Sequence, residues 1–547
     1  MGIAFDSMVA AHAMNEELPV SLASLSGMKL GVMNWGKGNH DFGESASPPS
    51  ALFGESGMGR YCGLDAAYTH LLYEQQRVDL SANQPLAALL KHLVFPGLHS
   101  LVRMEMNGIW CDMDRVRRRR EQRQHQKDRL EGQVKAFIHE DFRETADLGN
   151  EHFLRRWIFG REPDGLGLEP ISFTERNIPQ VDEATLKALR HPALELLRRH
   201  RKCSKAISFY DQWESFADDN WRMHPSFNPT GTVTGRRSCD EPNLQQVPRE
   251  YALRTCIGAP PGWRFLQVDY STVEVRIAAW FAQEERMLAI FADDSQDIYR
   301  YTASLIYGIP ETEVTKPFRQ KAKAVVLGFL YGMSANGFLI YARDTFDMVF
   351  TKEEATSFRE TFFSAYPRLQ VWHEMCRRQA KSKLVMRSPF GRERHLWGIL
   401  STDRSVKAKA ERQSINSPVQ GTGGDFTLAS MVTLYPEMDP EEIMLVGDVH
   451  DALLFQVRED VWEKWTYRVL QVMEKPAALD AFNVHVPTRL KAEASVGRYW
   501  GRGLPLLLKD FDGAGKVSPD WKGWSDFLAD EPEDVDLDDE DALIQEE

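Results

Sequence analysis

A chain of 547 residues with 43% hydrophobic content is long enough for several domains with buried cores, and its cysteines (Cys62, Cys111, Cys203, Cys239, Cys256, Cys376) have no metal-ligand spacing and read as free thiols of a reducing cytoplasm. No apolar run reads as long enough to span a bilayer and nothing after Met1 resembles a signal peptide, so no membrane association is expected. The formal net charge of −14 looks wrong for a protein that binds a polyanion, but 11 acidic and no basic residues lie between Asp530 and Glu547, which leaves −3 for the rest, so local distribution decides.

In chain order, Gly27–Gly59 is rich in glycine, serine and proline and reads as loop or disorder. Arg115, Arg117 to Arg120 and Arg123 open a helical, strongly basic segment, and a second basic run spans Arg198–Lys205. Both suit a grip on a phosphate backbone without base reading, and both also suit a solvated helix face. The run RFLQV before Asp269 reads as a short buried strand, and the spacing after it (Val273, Val275, Ile277, Ala278, Trp280) turns helical, which sets that carboxylate at a strand's mouth. Arg319, Lys323, Leu327 and Tyr331 step by four and so line one side of a helix. A triphosphate lying there would meet the two cations with its oxygens, and the leucine and tyrosine with its sugar and base. A basic surface stripe beside an apolar contact accounts for the same spacing. Lys323 would also suit delivery of a proton or positive charge to a departing pyrophosphate.

Farther on, IMLVGDV and ALLFQV read as two strands with His450 and Asp451 at the tip of the hairpin. Two carboxylates at two strand ends, Asp269 and Asp451, fit the pair of divalent metals, ~3.5–4 Å apart, that runs much phosphoryl transfer. Taken alone, each aspartate reads as a turn cap. The acidic tail reads as disordered, with a solubilising role, competition for the basic helices and recruitment of a basic partner all open.

Seven blocks in one order carry a resemblance that runs from about Met1 to Trp500. They are RMEMNGIWCD (Arg103–Asp112), TVTGRRSCDEPNLQQVP (Thr232–Pro248), DYSTVEVR from Asp269, RQKAKAVVLGFLYG (Arg319–Gly332), ERQSINSPVQGTGGD (Glu411–Asp425), VHDALLF from Val449 and EASVGRYW (Glu493–Trp500). The chain resembles the DNA polymerase I family, the family A DNA polymerases, in its thumb entry, primer and template segment, first palm motif, fingers helix, minor-groove segment, second palm motif and closing strand. The resemblance implies an α/β multidomain (α+β) protein with the right-hand polymerase fold. Residues 1–90 would be a partial exonuclease-like remnant, 91–230 the thumb, 231–505 palm and fingers with the fingers at about 285–400, and 506–547 a C-terminal extension with the acidic tail.

The same resemblance implies template-directed DNA synthesis on primer-template DNA from deoxynucleoside triphosphates, with release of pyrophosphate. Carried over residue by residue, Asp269 and Asp451 would hold two magnesium ions, Arg319 and Lys323 would clamp the triphosphate, and Tyr331 with Glu274 would form a steric gate against a ribose 2′-hydroxyl. Leu327, Tyr299 and Tyr270 would join the nucleotide site, and His450 would orient the primer terminus. Arg236, Asn243, Gln245, Asn416 and Gln420 would touch primer, template or minor groove, testing pair geometry through acceptors shared by all four pairs. Five positions depart from the family pattern. Leu327 stands for the usual Phe or Tyr, Val326 for Asn, Tyr299 for a His, Ala452 for a Glu, and Asp448 for a Gln, so that local charge is moved rather than lost.

The front of the chain resembles the later part of a proofreading 3′→5′ exonuclease, with Tyr61 and Asp65 matching its third motif and the first two motifs missing. One aspartate cannot hold two metals, so no self-contained proofreading is expected. An incomplete sheet there would leave an exposed edge, which implies a separately encoded chain that docks on it. The compact front end points to a bacteriophage-encoded enzyme working in a host cytoplasm. A single-subunit RNA polymerase and a non-catalytic DNA-binding replication subunit are the rival readings. Glu274 with the Pro-Asn-Leu-Gln segment argues against the first, and the full set of acids and cations against the second.

Overall fold

The computed structural model describes residues 4–32, 58–174, 176–501 and 503–524. The acidic tail from Asp530 lies outside the described residues.

The front of the chain is helical. Helices α1 (Ser7–Met14) and α2 (Leu22–Leu30) are each N-capped by a side chain, Asp6 accepting from the Val9 amide and Ser21 from the Ser24 amide, and both pack on α3 (Met58–Ser81). Two expectations fail here. Gly27 to Leu30 continue a helix instead of opening a loop, Gly31 ends that helix in the left-handed conformation, and residues 33–57 lie outside the described residues. Among described residues 4–32 and 58–90 there is no strand, so these residues show none of the sheet edge from which a docking chain was inferred. Tyr61 and Asp65 ride on α3. The front is instead clasped to a distant hairpin: Glu16 accepts from Arg394 Nη1 and from the His395 amide, each at 2.6 Å, and pairs with His395 Nδ1 at 3.0 Å.

The helical run Gln84–Asn107 corrects the sequence reading of membrane-spanning potential. It is long and apolar enough to cross a bilayer, yet 56% of its most apolar window is buried inside the protein. Its second half, α4 (Phe95–Asn107), is a core helix. Gly97 has no side chain because Leu428 comes within 2.4 Å of where a Cβ would stand.

Next come two long antiparallel helices, α5 (Met113–Lys135) and α6 (Pro192–Phe216), zipped by Arg117 to Glu214, Arg120 to Asp211 and Gln126 to Cys203. The basic segment divides at helical spacing. Arg115, Arg119 and Arg123 fall four apart on the buried face, where Arg123 pairs with Glu250, while Arg117 and Arg118 face solvent. The expected duplex-gripping stripe is therefore half structural. A separate apolar core with Leu154, Trp157, Leu186 and Leu197 caps this arm.

The site is built on a five-stranded antiparallel sheet. Its strands are β1 (Trp263–Tyr270), β2 (Ile443–Val449), β3 (Ala452–Arg458), β4 (Ala492–Gly497) and β5 (Leu504–Leu506), in the order β5-β4-β1-β3-β2. Between β1 and β2 run α7 (Val273–Ala282), α8 (Ile298–Tyr307), α9 (Lys316–Leu330), α10 (Ala335–Phe346) and the long α13 (Arg404–Leu434), with α11 (Lys352–Ala365) and α12 (Pro367–Lys383) before α13. Helix α13 backs the sheet together with α14 (Trp462–Glu474). Lys187 on the capped arm pairs with Asp347, the left-handed C-cap of α10, so arm and helical insertion touch.

Candidate active site

Asp269 is the next-to-last residue of β1, and in register it stands opposite Ala452 of β3 on one side and Glu493 of β4 on the other. Asp451 immediately precedes Ala452 in the two-residue turn between β2 and β3, and its carbonyl accepts from the Tyr270 amide at 3.3 Å. Both predicted acids thus sit at the ends of neighbouring strands, and the hairpin tip falls where the sequence reading puts it. His450 holds the left-handed conformation at φ 59°, a cost for a non-glycine residue that the tight turn imposes, and leaves its ring exposed. Protein atoms crowd the Asp269 carboxyl at the cleft floor although its surface remains open to solvent. That desolvation first, then the Asp451 and Glu493 carboxylates, push its pKa up to about 7 against the opposing pull of Arg249.

After β1 the chain turns sharply at Thr272, at φ 55°, into α7, which places Glu274 in the helix's first turn. Tyr331, the C-cap of α9, donates its hydroxyl to Glu274 Oε2. Burial first, then the Glu274 carboxylate, hold that phenol well above its ordinary range. Arg236 Nη2 donates to Glu274 Oε1 at 2.7 Å and to Asp451 Oδ1 at 2.9 Å. Burial pulls its pKa down, but the two carboxylates outweigh it and raise the net value. Small residues make room for this cluster: a Cβ at Gly424 of α13 would come 3.3 Å from Arg236 Cγ, and one at Gly423 would lie 3.8 Å from Asp451 Oδ1.

The i, i+4 stripe on α9 survives intact. Lys323 and Leu327 are partly exposed amid buried neighbours, and Leu327 lines a cleft of about 250 Å³ together with Asp269, Asp451, Glu274, His450 and Tyr299. Burial, then Arg249 and Arg319, lower the pKa of Lys323, while Asp269 works the other way. Arg319 pairs with Asp297, Nε at 2.9 Å and Nη2 at 2.8 Å, and lies over the buried Tyr299 ring at 5.3 Å.

Two sequence assignments change, those of Tyr270 and Asp448. Tyr270 contributes backbone to the cleft, but its ring is buried on the opposite face and its hydroxyl bonds Ser430 Oγ at 2.9 Å and the Met473 carbonyl at 2.8 Å. Adjacent strand residues point to opposite faces, so Asp269 and Tyr270 cannot both face the cleft. Asp448 does not restore at the cleft the charge that position 452 lacks: it is buried against Arg237, which also donates to the Gly424 carbonyl at 3.1 Å. Asn243 caps its own turn by accepting from the Gln245 amide, and Gln245 donates to the Arg237 and Asp448 carbonyls at 3.1 and 3.0 Å, so these amides brace the site's wall. Asn416 and Gln420 sit one turn apart on α13, both partly exposed, and Asn416 Oδ1 has no hydrogen-bond partner.

Reading by motif missed Arg249, Arg254 and Glu493. Arg249 and Arg254 line the cleft, and Arg249 directly follows Pro248, the last residue of the quoted primer-segment block, so its place in sequence was a usable signal. Glu493 belongs to a block chosen for its strand character, and only pairing across β1 reveals its nearness to Asp269.

Among the described residues no group of three or more His, Cys, Asp or Glu side chains is placed to hold a metal ion; the two strand-end carboxylates, Asp269 and Asp451, are an all-oxygen pair whose chemistry suits a hard cation. A model of DNA polymerase family A matches residues 114–502, well over half of the chain. A thermostable DNA polymerase I of Thermus filiformis is 33% identical over 447 residues, which are 80% of this chain and 51% of that protein. DNA polymerase I of Pseudomonas aeruginosa is 31% identical over 453 residues, 81% of this chain and 47% of that one. The chain spans about half the length of the curated relatives it matches. Among solved structures, the POL domain of Pol1 from M. smegmatis, in complex with DNA primer-template and dNTP, superposes with a TM-score of 0.78 at 24% identity, covering 91% of this chain and 82% of that chain, which establishes the same fold. Fold, strand-end acids and family match converge: the chain belongs to DNA polymerase family A.

Proposed function

We propose that the chain carries out template-directed DNA synthesis, adding deoxynucleotides to a primer 3′-hydroxyl with release of pyrophosphate. The observation that carries this reading is the meeting of Asp269 and Asp451 at adjacent strand ends in a cleft that Leu327 of α9 also lines, with Lys323 one turn away on the same stripe and within reach of the Asp269 charge. Asp269 and Asp451 would hold divalent cations, with magnesium favoured by an all-oxygen environment, and bound cations would lower the pKa of the primer hydroxyl and offset phosphate charge. Lys323 meets the triphosphate oxygens from α9, and its lowered pKa brings it nearer to proton donation toward the leaving group. Arg319 exchanges Asp297 for phosphate oxygen. Glu274, tied to Tyr331, fills the space of a 2′-hydroxyl and so favours DNA over RNA synthesis.

In this reading α5 and α6 with their capped tip are the thumb, the sheet is the palm, and α8 to α11 are the fingers. Primer extension on a primed template with magnesium tests it, with Asp451→Ala and a 3′-mismatched primer run in parallel. Template-directed extension lost in the variant supports the assignment, and excision of the mismatch would contradict the expected lack of proofreading. No extension by the unmodified chain refutes the enzymatic reading.

A further inference from the structure

Glu274 is gripped from two sides. The Tyr331 hydroxyl donates to Oε2, and Arg236 Nη2 donates to Oε1 at 2.7 Å while also reaching Asp451 Oδ1 at 2.9 Å. One guanidinium nitrogen thereby bridges the carboxylate that faces the sugar and the carboxylate of the hairpin tip. All three side chains are largely sheltered, with 24% of Arg236 and 19% of each acid exposed. Like charges at such a spot repel unless a cation stands between them. A hydroxyl alone pins one carboxylate oxygen and leaves the group free to swing, whereas a donor on each oxygen fixes its plane.

The arginine's place is set by packing, since its stem lies against Gly424 of α13, where a side chain would crowd Arg236 Cγ at 3.3 Å. Its Nε is buried without a hydrogen-bond partner, so the two carboxylates held at Nη2 set the direction of the guanidinium.

We propose that Arg236 is a positioning residue for sugar selection: by fixing Glu274 against Tyr331 it makes the rejection of ribonucleotides depend on it, apart from any contact it makes with DNA. This rests on the polymerase reading above and deepens it.

The test is single-turnover incorporation by the full chain in excess over a primed template. Efficiencies for one deoxynucleoside and the matching ribonucleoside triphosphate are measured in the unmodified protein, Arg236→Ala, Arg236→Lys, Glu274→Ala and the Arg236→Ala/Glu274→Ala double variant. Losing one charged hydrogen bond should cut the deoxy-to-ribo preference of Arg236→Ala by roughly tenfold or more. Arg236→Lys, which keeps the charge and loses the planar fork, should fall between. In the Glu274→Ala background the arginine change should alter the preference by less than about twofold, the signature of two residues acting as one unit. A purely structural or DNA-gripping arginine would lower both efficiencies together and leave their ratio intact, and that result overturns the proposal. So does an equal fall in the ratio with and without Glu274. If Arg236→Ala is too slow to read, Arg236→Lys against Arg236→Lys/Glu274→Ala decides by the same criterion. Absence of any incorporation by the unmodified chain removes the polymerase reading itself, and the inference with it, whereas synthesis with an unchanged ratio removes the inference alone.

Discussion

Asp448 and Arg237 form a buried ion pair whose removal separates a structural role from a catalytic one. Their side chains are 2% and 3% exposed, and the guanidinium also donates to the Gly424 carbonyl. Asp448→Ala therefore strands a full positive charge in the wall behind the hairpin. Breaking a buried pair by deleting one partner costs about 3–5 kcal/mol. At a few degrees of melting temperature per kcal/mol for a domain of about 150–250 residues, that corresponds to a drop on the order of 10 °C. Replacing both partners with apolar residues, Arg237→Met with Asp448→Leu, should recover most of the loss, because neither charge then needs a partner. Differential scanning fluorimetry on the full chain reads both variants, and a magnesium titration of primer extension at a permissive temperature reads the chemistry. The metal dependence should remain that of the unmodified protein. A melting shift under about 2 °C for Asp448→Ala, or a double variant as unstable as the single one, would refute the reasoning.

Other outcomes follow from the same geometry. Leu327→Phe puts a ring on the cleft wall where the sugar would pack, and should change dideoxynucleotide discrimination or turnover about three- to tenfold, the scale of an aromatic contact; equal kinetics on both substrates would exclude contact there. His395 is held above its ordinary pKa chiefly by its hydrogen bond to Glu16. Because the folded value is raised, its contribution is complete below about pH 6.5 and fades as pH rises through the folded value. Glu16 is lowered: burial raises it, but the bonds from His395 and Arg394 outweigh that, so its share is lost only in acid. The melting-temperature gap between the unmodified chain and His395→Ala should thus shrink from pH 6 to pH 9, and a constant gap would contradict the clasp. Lys187 and Asp347 link arm and insertion through an exposed pair worth about 0–1 kcal/mol. Asp347→Lys should leave single-nucleotide addition intact while shortening product length in the presence of a trap, and Lys187→Asp in the same chain should restore it.

What was legible in the sequence was local. Alternation and a two-residue turn located Asp451, and a step of four located Lys323 and Leu327, because both periods are fixed by backbone geometry. Tyr270 was misassigned although parity with Asp269 already put it on the other face. The inward turn of Arg115, Arg119 and Arg123 was only half legible. Their spacing marks one face, but which face meets α6 depends on Glu250, more than a hundred residues away. The nearness of Glu493 to Asp269 depends on strand pairing across the sheet, and the Asp448–Arg237 pair and the contacts of Arg236 with Glu274 and Asp451 depend on tertiary packing, none of which composition encodes.

The register of that sheet has a mechanical consequence. Asp269 faces Ala452 directly, and Asp451 is the residue before it, so the span between the two acids is measured out by ladder hydrogen bonds rather than by a loop. A one-residue slip of β3 against β1 would turn its side chains over and move the hairpin tip along β1 by one strand step, about 3.3 Å. The sheet is in this sense a ruler with one permitted reading: insertions are tolerated in the connections around it, whereas a single residue added within either strand erases the spacing on which the proposed chemistry depends.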